Sequence, residues 1–297
     1  MRLPIPANTV PANTVPADVG PADTVPAPAE TAAARPLGLA EALHAEWTKT
    51  RTIASTGWLL LAVIALTVAV GVAAAAGTSC PSGVACQVDP AKVSLIGIDL
   101  GQAVVAIVAV LAISNEYSTG MIRITLSAMP RRTVVLAAKA AILSALVLAA
   151  GTIAVLGSVL AGRLILSGHG FTPAHGYELL SLGHGPVLRA AAGSVLYLAL
   201  IALLSLGVAT AVRDSAVAIG IVLGLLYLFP IVANVVGNAH WHRHLEQIGP
   251  MTAGLAIQAT TDLNRLPLSP WAGLGVLAAW AAAALLVGGL VLRLRDA

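Results

Sequence analysis

Six long apolar segments constrain the fold of this chain more than any other feature of its sequence. Each is close to the roughly 20 residues that a helix needs to cross the hydrocarbon core of a bilayer. Charged residues make up 10% of the 297 residues, against roughly 25% in soluble domains, so the chain cannot cover its own surface with polar groups. We predict an all-α integral membrane protein. Its six transmembrane helices are expected at residues 57–76, 93–113, 140–162, 190–212, 216–236 and 271–292.

The N-terminal 36 residues differ in character from the apolar segments. A proline recurs at every fifth position from Pro6 to Pro26, and most of the intervening residues are small. Proline removes backbone donors, and small side chains bury little apolar area. We therefore predict that residues 1–36 are a disordered tail. The tail has no apolar core of the length that a signal peptide needs.

Residues 37–56 show the pattern of an amphipathic helix. Leu39, Leu43 and Trp47 follow one another at intervals of four residues, so they share one face of a helix. Basic residues come next, just before the first apolar segment, and such residues favour the cytoplasmic side. We predict an interfacial helix at the cytoplasmic membrane surface.

Basic residues are distributed unequally between the two sides of the predicted membrane. With the N-terminus in the cytoplasm, 11 of the 16 Lys and Arg fall on the inside and 5 on the outside. Because basic residues accumulate in cytoplasmic loops, this count favours a multi-pass protein of the cell membrane with both termini in the cytoplasm. The inside residues are Arg2, Arg35, Lys49, Arg51, Arg123, Arg131, Arg132, Lys139, Arg213, Arg293 and Arg295.

A polar, basic stretch at residues 115–132 connects the second and third apolar segments, and the topology places it in the cytoplasm. Gly120 and Pro130 limit any helix within it to about two turns. The stretch is therefore expected to form a short amphipathic helix at the membrane surface. Its apolar residues recur at the spacing of one helix face: Ile122, Leu126 and Met129.

This stretch resembles the first cytoplasmic loop of type-2 ABC exporter permeases. The resembling residues read Glu116-Tyr117-x-x-Gly120-x-Ile122-Arg123-x-Thr125-Leu126, closing on Pro130-Arg131-Arg132. In that family the loop is a coupling helix that docks on a separate ATPase subunit. The resemblance extends from residue 37 onward, through a helix before the membrane, six spans and a long outer loop. It implies short helices within that loop, at residues 251–260.

The resemblance implies a function and a set of partners. The chain would be the membrane-spanning permease subunit of an ATP-binding cassette exporter. Its partners would be an ABC ATPase subunit, which binds ATP and Mg, and a second permease subunit, either identical or related. This chain itself would bind no cofactor. Five residues are expected to contact the ATPase, although each could instead pack against the chain's own helices: Glu116, Ile122, Arg123, Leu126 and Met129.

The sequence lacks the motifs of common enzymes. No Gly-Lys pair occurs, so the phosphate-binding loop of many nucleotide hydrolases is missing, and so is the zinc-protease motif His-Glu-x-x-His. We expect neither enzymatic activity nor a metal site. The formal net charge of +3 follows from basic residues on one membrane side, so we expect no nucleic-acid partner.

Two polar residues of the second apolar segment are candidates for a substrate pathway. Asp99 and Gln102 are three residues apart and share one helix face. Ionisable residues within a membrane are costly and often functional, so these two would line the path of a transported molecule. Alternatively, Asp99 is hydrated near the outer end of its helix or pairs with a neighbouring helix.

The only two cysteines, Cys80 and Cys86, lie in the first outer loop. In an oxidising compartment outside the membrane they would form a disulfide that closes a small loop. The alternative is two free thiols.

Two other functional classes fit parts of the sequence. An ion-coupled secondary transporter would need ionisable groups near the middle of the membrane, for which Asp99 is the one candidate. A membrane anchor or sensor without transport activity would use the Pro/Ala-rich tail as a tether for a cytoplasmic partner.

Overall fold

A computed structural model describes residues 39–52, 54–80, 88–121, 132–172, 180–235 and 238–294. The predicted disordered tail, residues 1–36, lies outside these ranges. All regular secondary structure within them is helical. The helices are α1 (Leu39–Thr52), α2 (Ala54–Gly77), α3 (Pro90–Leu95), α4 (Ile98–Ser118), α5 (Arg132–Gly168), α6 (Gly185–Val212), α7 (Ser215–Val235), α8 (Ala239–Ile248), α9 (Pro250–Leu255) and α10 (Pro270–Leu294), with short 3-10 helices at Ala256–Gln258 and Leu263–Arg265.

Six helical segments in the described ranges are long and apolar enough to cross a membrane, which confirms the predicted fold class. They are α2, α3 together with α4, α5, α6, α7 and α10. We call these six segments the spans. Each coincides with one of the six apolar segments of the sequence. Residues Pro36–Ala297 belong to one compact unit, so α1 packs with the spans.

The third span is longer than the apolar pattern predicts. Its apolar part was expected at residues 140–162, whereas α5 contains 37 residues and is about 56 Å long at 1.5 Å per residue. Helical hydrogen bonding continues through the polar residues at both ends of the apolar part. The helix ends where Gly170 adopts a left-handed backbone, with φ of 93°, which is a common way for a helix to stop.

The second span is interrupted near its beginning. α3 begins at Pro90 after its N-cap Asp89, and regular α-helical hydrogen bonding is interrupted at residues 96–97 before α4 begins, although both residues keep right-handed helical dihedrals. Gly97 lies directly against the backbone of Thr67 in α2, where a Cβ atom would overlap the Thr67 carbonyl. Glycine at this position therefore allows the two spans to approach backbone to backbone.

The helix α6 forms the centre of the bundle. In the most apolar stretch of α6, 61% of the residues are buried, whereas 22% are buried in the corresponding stretches of α2, α7 and α10. These three outer spans expose large apolar side chains, as expected of surfaces in contact with lipid. Buried side chains of α6 form the middle of the main core: Tyr197, Leu198, Ile201, Leu204 and Leu206.

The bundle has two ends of different construction. We call one of them the connector end. It contains α1, the last turn of α4, the first turns of α5 and the last turn of α10. The other end, called the loop end, holds α3, α8, α9 and both 3-10 helices. There, α9 and the following 3-10 helix pack against α6, with Gly254 on the Tyr197 ring and Ile257 on Gly193. Short helices therefore occur within residues 251–260, as the sequence analysis expected.

Candidate functional site

Four charged side chains meet at the connector end, and we call them the charge cluster: Glu46 and Lys49 of α1, Glu116 of α4 and Lys139 of α5. Lys139 Nζ lies 2.6 Å from Glu46 Oε2 and 3.0 Å from Glu116 Oε1. Lys49 Nζ lies 2.9 Å from Glu46 Oε1 and 3.0 Å from Glu116 Oε1. Each ammonium group thus contacts both carboxylates, and the four charges cancel.

The helical repeat of α1 places two of its charged residues, Glu46 and Lys49, on the side that faces the bundle. Ala42 and Glu46 are buried, whereas Leu39 and Trp47 are exposed. Ala42 packs with Val135 of α5, one turn before Lys139. Leu39 and Trp47 therefore lie away from the spans, whereas Leu43 packs partly against the contact with α5. Glu46 and Lys49 hold the helix to α4 and α5.

Most of the charge cluster is withdrawn from solvent. The side chains of Glu46, Glu116 and Lys139 are 3%, 6% and 6% exposed, and that of Lys49 is 30% exposed. Removing an ion from water costs several kcal/mol, and only short, well-directed ion pairs repay that cost. The mutual bridging of these groups supplies such pairs, so the cluster requires α1, α4 and α5 in one fixed arrangement.

The protonation behaviour of the two α1 residues follows from the same contacts. Burial alone would raise the pKa of Glu46, but the Lys139 ammonium and hydrogen bonds from Lys139 and Lys49 hold this pKa below its ordinary value. Burial alone would lower the pKa of Lys49, yet its hydrogen bonds to Glu46 and Glu116 raise this pKa above its ordinary value. Both residues therefore remain charged near neutral pH.

A cavity of about 310 Å³ opens beside the charge cluster. One part of its wall is aliphatic and includes Leu111 and Leu146, while hydroxyl groups such as those of Thr50 and Ser55 line another part. Glu116 Oε2 is buried and has no hydrogen-bond partner in the part of the chain that the structure describes. The cavity therefore offers apolar surface next to buried charge.

Residues 119–131 join α4 to α5, and we call them the connector. The residues that flank the connector also contact other spans. The Arg213 guanidinium, in the turn between α6 and α7, lies 5.4 Å from the centre of the Tyr117 ring, in cation–π geometry. On the other flank, Arg132 Nη1 donates a 2.8 Å hydrogen bond to the Leu292 carbonyl at the end of α10. With Glu116 and Lys139, these contacts join both flanks of the connector to α1, α10 and the α6–α7 turn.

The predicted ATPase contacts divide into two groups. Glu116 lies within the bundle and pairs with the chain's own lysines, which is the alternative that the sequence analysis left open for it. The other four residues lie outside the described ranges: Ile122, Arg123, Leu126 and Met129. Met121, the last described residue before them, is exposed.

The predicted pathway residues lie at the loop end. Gln102 is fully buried and takes part in a hydrogen-bond network that joins three spans. Tyr197 of α6 donates to Gln102 Oε1, and Gln102 Nε2 donates to the Tyr227 hydroxyl of α7 at 3.4 Å. Tyr227 in turn donates to the backbone carbonyl of Asp99. Gln102 therefore holds spans together, whereas the Asp99 side chain remains partly exposed in a cavity.

Cys80 is buried at the loop end and its sulfur is part of a disulfide. Its backbone N–H donates to the His169 carbonyl after α5. Cys86, the only other cysteine of the chain, lies outside the described residues, so the Cys80–Cys86 pair stays a prediction.

Sequence reasoning did not single out Lys139 or Glu46 as site residues, although a usable signal was present. Lys139 lies one residue before a long apolar segment, and Glu46 lies within an otherwise suitable interfacial helix. A charge at the edge of a bilayer core needs a partner of opposite sign. The sequence contains both signs at the connector end, but it does not state which residues pair.

The fold and the charge cluster together define the class of this chain as a multi-pass α-helical membrane protein with six spans. No protein-family model matches the sequence, and a search of curated proteins finds no significant match.

Proposed function

We propose that this chain is the membrane-spanning subunit of a transporter driven by a separate ATPase, with the 119–131 connector as the docking site. The single observation that carries the proposal is that both flanks of the connector bind other elements of the bundle. Glu116, on one flank, pairs with Lys139, on the other, at 3.0 Å, and both bind α1.

The anchoring gives a route by which a partner could act on the spans. A force applied to the connector acts first on the ends of α4 and α5, because these helices enter and leave it. The charge cluster passes the displacement to α1, and Arg132 passes it to the end of α10 through the Leu292 carbonyl. Coupled elements of this kind suit a switch between two arrangements of a bundle.

The remaining parts have the following roles. The ATPase binds ATP and Mg, and the connector end with both chain termini lies in the cytoplasm of a cell. A second permease subunit, identical or related, completes the transport path. The direction of transport is export, on the resemblance of residues 116–132 to the coupling loop of type-2 exporters.

An ion-coupled secondary transporter is the second candidate. It is favoured by the interruption of the second span at residues 96–97, close to the ionisable Asp99. Broken helices beside ionisable groups form the ion sites of many secondary transporters. Such a transporter would keep working after nucleotide depletion and stop when the ion gradient is dissipated, whereas an ATPase-driven one would do the reverse.

Affinity purification of the tagged full-length chain from its native membranes tests the docking assignment. The test variant is Arg123→Glu, which reverses a charge in the connector and leaves the four residues of the charge cluster unchanged. The matched control is Arg265→Glu, an exposed residue at the loop end. We expect a P-loop ATPase to be recovered with wild type and control, and to be lost with Arg123→Glu.

Two outcomes would count against docking through the connector. Equal recovery of the ATPase with Arg123→Glu would place the contact elsewhere. Recovery of no ATPase with wild type, even after chemical crosslinking, would favour the ion-coupled alternative. Glu116→Arg is unsuitable here, because burial of the new cation beside Lys139 would unfold the connector end.

A further inference from the structure

Two histidines of α8, at the loop end, lie side by side on one face of the helix. His240 and His244 are four residues apart, a spacing that makes side chains neighbours on a helix surface. Both residues are exposed. Their Nε2 atoms lie 3.2 Å apart, and their ring centres lie 4.3 Å apart. We call these two residues the histidine pair.

The separation of the two nitrogens is close to that of two ligands of one zinc ion. Histidine nitrogen binds zinc at about 2.0–2.1 Å, so tetrahedral coordination places two such atoms about 3.3–3.4 Å apart. The histidine pair comes near this spacing without any movement of the helix. In the structure one Nε2 donates a hydrogen bond to the other. Rotation about the soft χ2 torsion of each ring lets both lone pairs face an ion instead.

The third histidine of α8 has other partners. His242 Nδ1 lies 2.8 Å from the carbonyl oxygen of Ala233 in α7, and His242 Nε2 lies 3.4 Å from Glu246 Oε1. Both of its ring nitrogens are thus engaged. No group of three or more His, Cys, Asp or Glu among the described residues is placed to hold a metal ion. The histidine pair therefore offers two protein ligands, and water completes the coordination.

Contacts at both ends of α8 hold the histidine pair in place. At the start, the Asn238 side chain accepts a 2.9 Å hydrogen bond from the backbone N–H of His240. At the end, Gln247 Nε2 donates to the Pro267 carbonyl, and Trp280 Nε1 donates to the carbonyl of the last residue of α8, both at 3.0 Å. Because the helix is already fixed, an ion gains both ligands without the cost of ordering the chain.

One basic side chain of α8 has to be weighed against the binding of a cation. Arg243, the only Lys or Arg of this helix, lines a crevice with Asn264 and Arg265. Neither member of the histidine pair lines that crevice. Arg243 is exposed, so water and salt screen its repulsion of an ion at the histidine pair.

We propose that the histidine pair is a chelating site for a divalent transition-metal ion, with zinc as the ion whose coordination fits the 3.2 Å spacing best. Imidazole nitrogen suits zinc, copper and nickel, whereas magnesium and calcium prefer oxygen ligands. No metal site was expected from the sequence, because a sequence does not show how far apart two side-chain nitrogens lie. Binding requires neither the ATPase nor docking at the connector, so it stands or falls separately from the proposed function.

Calorimetric titration of the purified full-length chain with ZnCl₂ tests the site. The chain is held in nanodiscs of zwitterionic lipid and carries no polyhistidine tag, because such a tag would itself bind zinc. We expect saturable binding of ZnCl₂. MgCl₂ should give no saturable binding, since two imidazoles are poor ligands for magnesium.

Substitutions locate the binding. His240→Gln and His244→Gln should each weaken the binding of ZnCl₂ roughly tenfold or more, because the remaining imidazole binds the ion without a second ligand on the same helix. Both positions are exposed, so the fold should tolerate either change. His44→Gln is the matched control. His44 is an exposed histidine of α1 at the connector end, and its loss should leave the affinity for zinc unchanged.

Chemical footprinting locates the ion in the wild-type chain. Diethyl pyrocarbonate acylates accessible imidazoles, and peptide mass spectrometry identifies the modified histidines. ZnCl₂ should slow the modification of His240 and His244, whose nitrogens it occupies, and leave the modification of His44 unchanged.

The proposal is overturned if wild type shows no saturable binding of ZnCl₂. It is also overturned if His240→Gln and His244→Gln bind zinc as tightly as His44→Gln does. Equal protection of His44 and the histidine pair would have the same meaning, because zinc would then bind any exposed imidazole of the chain.

Discussion

At the scale of single residues, Lys139 is the most buried cation of the charge cluster. It is 6% exposed in its side chain and is the only cluster member of α5. Its ammonium is the partner of two carboxylates from two other helices, at 2.6 and 3.0 Å. Without it, Lys49 would be the one cation of the described residues that pairs with Glu46 and Glu116.

We therefore predict that Lys139→Met destabilises the protein by about 3–5 kcal/mol, the usual cost of removing one partner from a buried ion pair. The measurement is the free energy of unfolding in detergent, followed by helical circular dichroism during titration with a denaturing detergent. Lys92→Met is the control. Lys92 is exposed and forms no ion pair among the described residues, so its loss should cost less than about 1 kcal/mol.

The sequence limits how far the cluster could have been foreseen. A charge of each sign at the connector end follows from the positions of the residues along the helices. The actual partners do not follow, since Lys139 and Glu46 are 93 residues apart and Lys49 and Glu116 are 67 apart. Pairing over such separations depends on which spans pack together, and apolar periodicity carries little information about that.

At the scale of elements, α6 and α10 share the most extensive contact between any two described helices. A Cβ on Gly207 of α6 would overlap the backbone of Ala284 and lie 2.6 Å from the Leu285 nitrogen. From the other side, a Cβ on Gly288 would lie 2.5 Å from the Gly207 carbonyl oxygen. The two helices thus approach each other through glycine, as small residues allow in membranes.

Gly207→Ala should destabilise the protein by about 1–3 kcal/mol, because the added methyl group forces α6 and α10 apart. The same unfolding titration measures it. Gly220→Ala in α7 is the matched control, since no atom lies within 4 Å of a Cβ there and the substitution also favours helix. A Gly207→Ala variant as stable as the control would mean that the helices can separate without cost.

Glycine spacing alone does not distinguish these two positions. Gly220 and Gly224 have the small-xxx-small spacing, yet neither has an atom of the described chain near its Cβ position. Gly207, whose contact is tight, has the same spacing with Ala211 within α6. The pattern predicts that a helix can be approached closely. It does not identify which neighbour approaches.

At the scale of the whole molecule, hydropathy and length were sufficient to predict six spans, because the bilayer imposes both. The structure of the two ends of the bundle was harder to predict. The long third span and the break at residues 96–97 depend on where helical hydrogen bonding stops and on the contact of Gly97 with Thr67. Such details follow from the packing of neighbouring spans.

The proposed orientation can be tested with single cysteines in the intact chain. Asn264→Cys, at the loop end, should react with a membrane-impermeant maleimide in intact cells. Ser118→Cys, at the connector end, should react only after permeabilisation, because an excess of basic residues favours the cytoplasmic side for that end. Both positions are exposed, and the native Cys80 is part of a disulfide. The reverse labelling pattern would place the connector where no ATP-consuming partner could reach it.

The length of α5 has a mechanical consequence. The helix is one uninterrupted rod of 37 residues, with Lys139 near one end and the His169 contact to Cys80 just beyond the other. A rod of about 56 Å that turns by roughly 5° about one end moves its other end by about 5 Å, close to one helical turn. α5 therefore has the geometry of a lever arm, in which a small rotation at the charge cluster would become a displacement of several ångströms at the loop end.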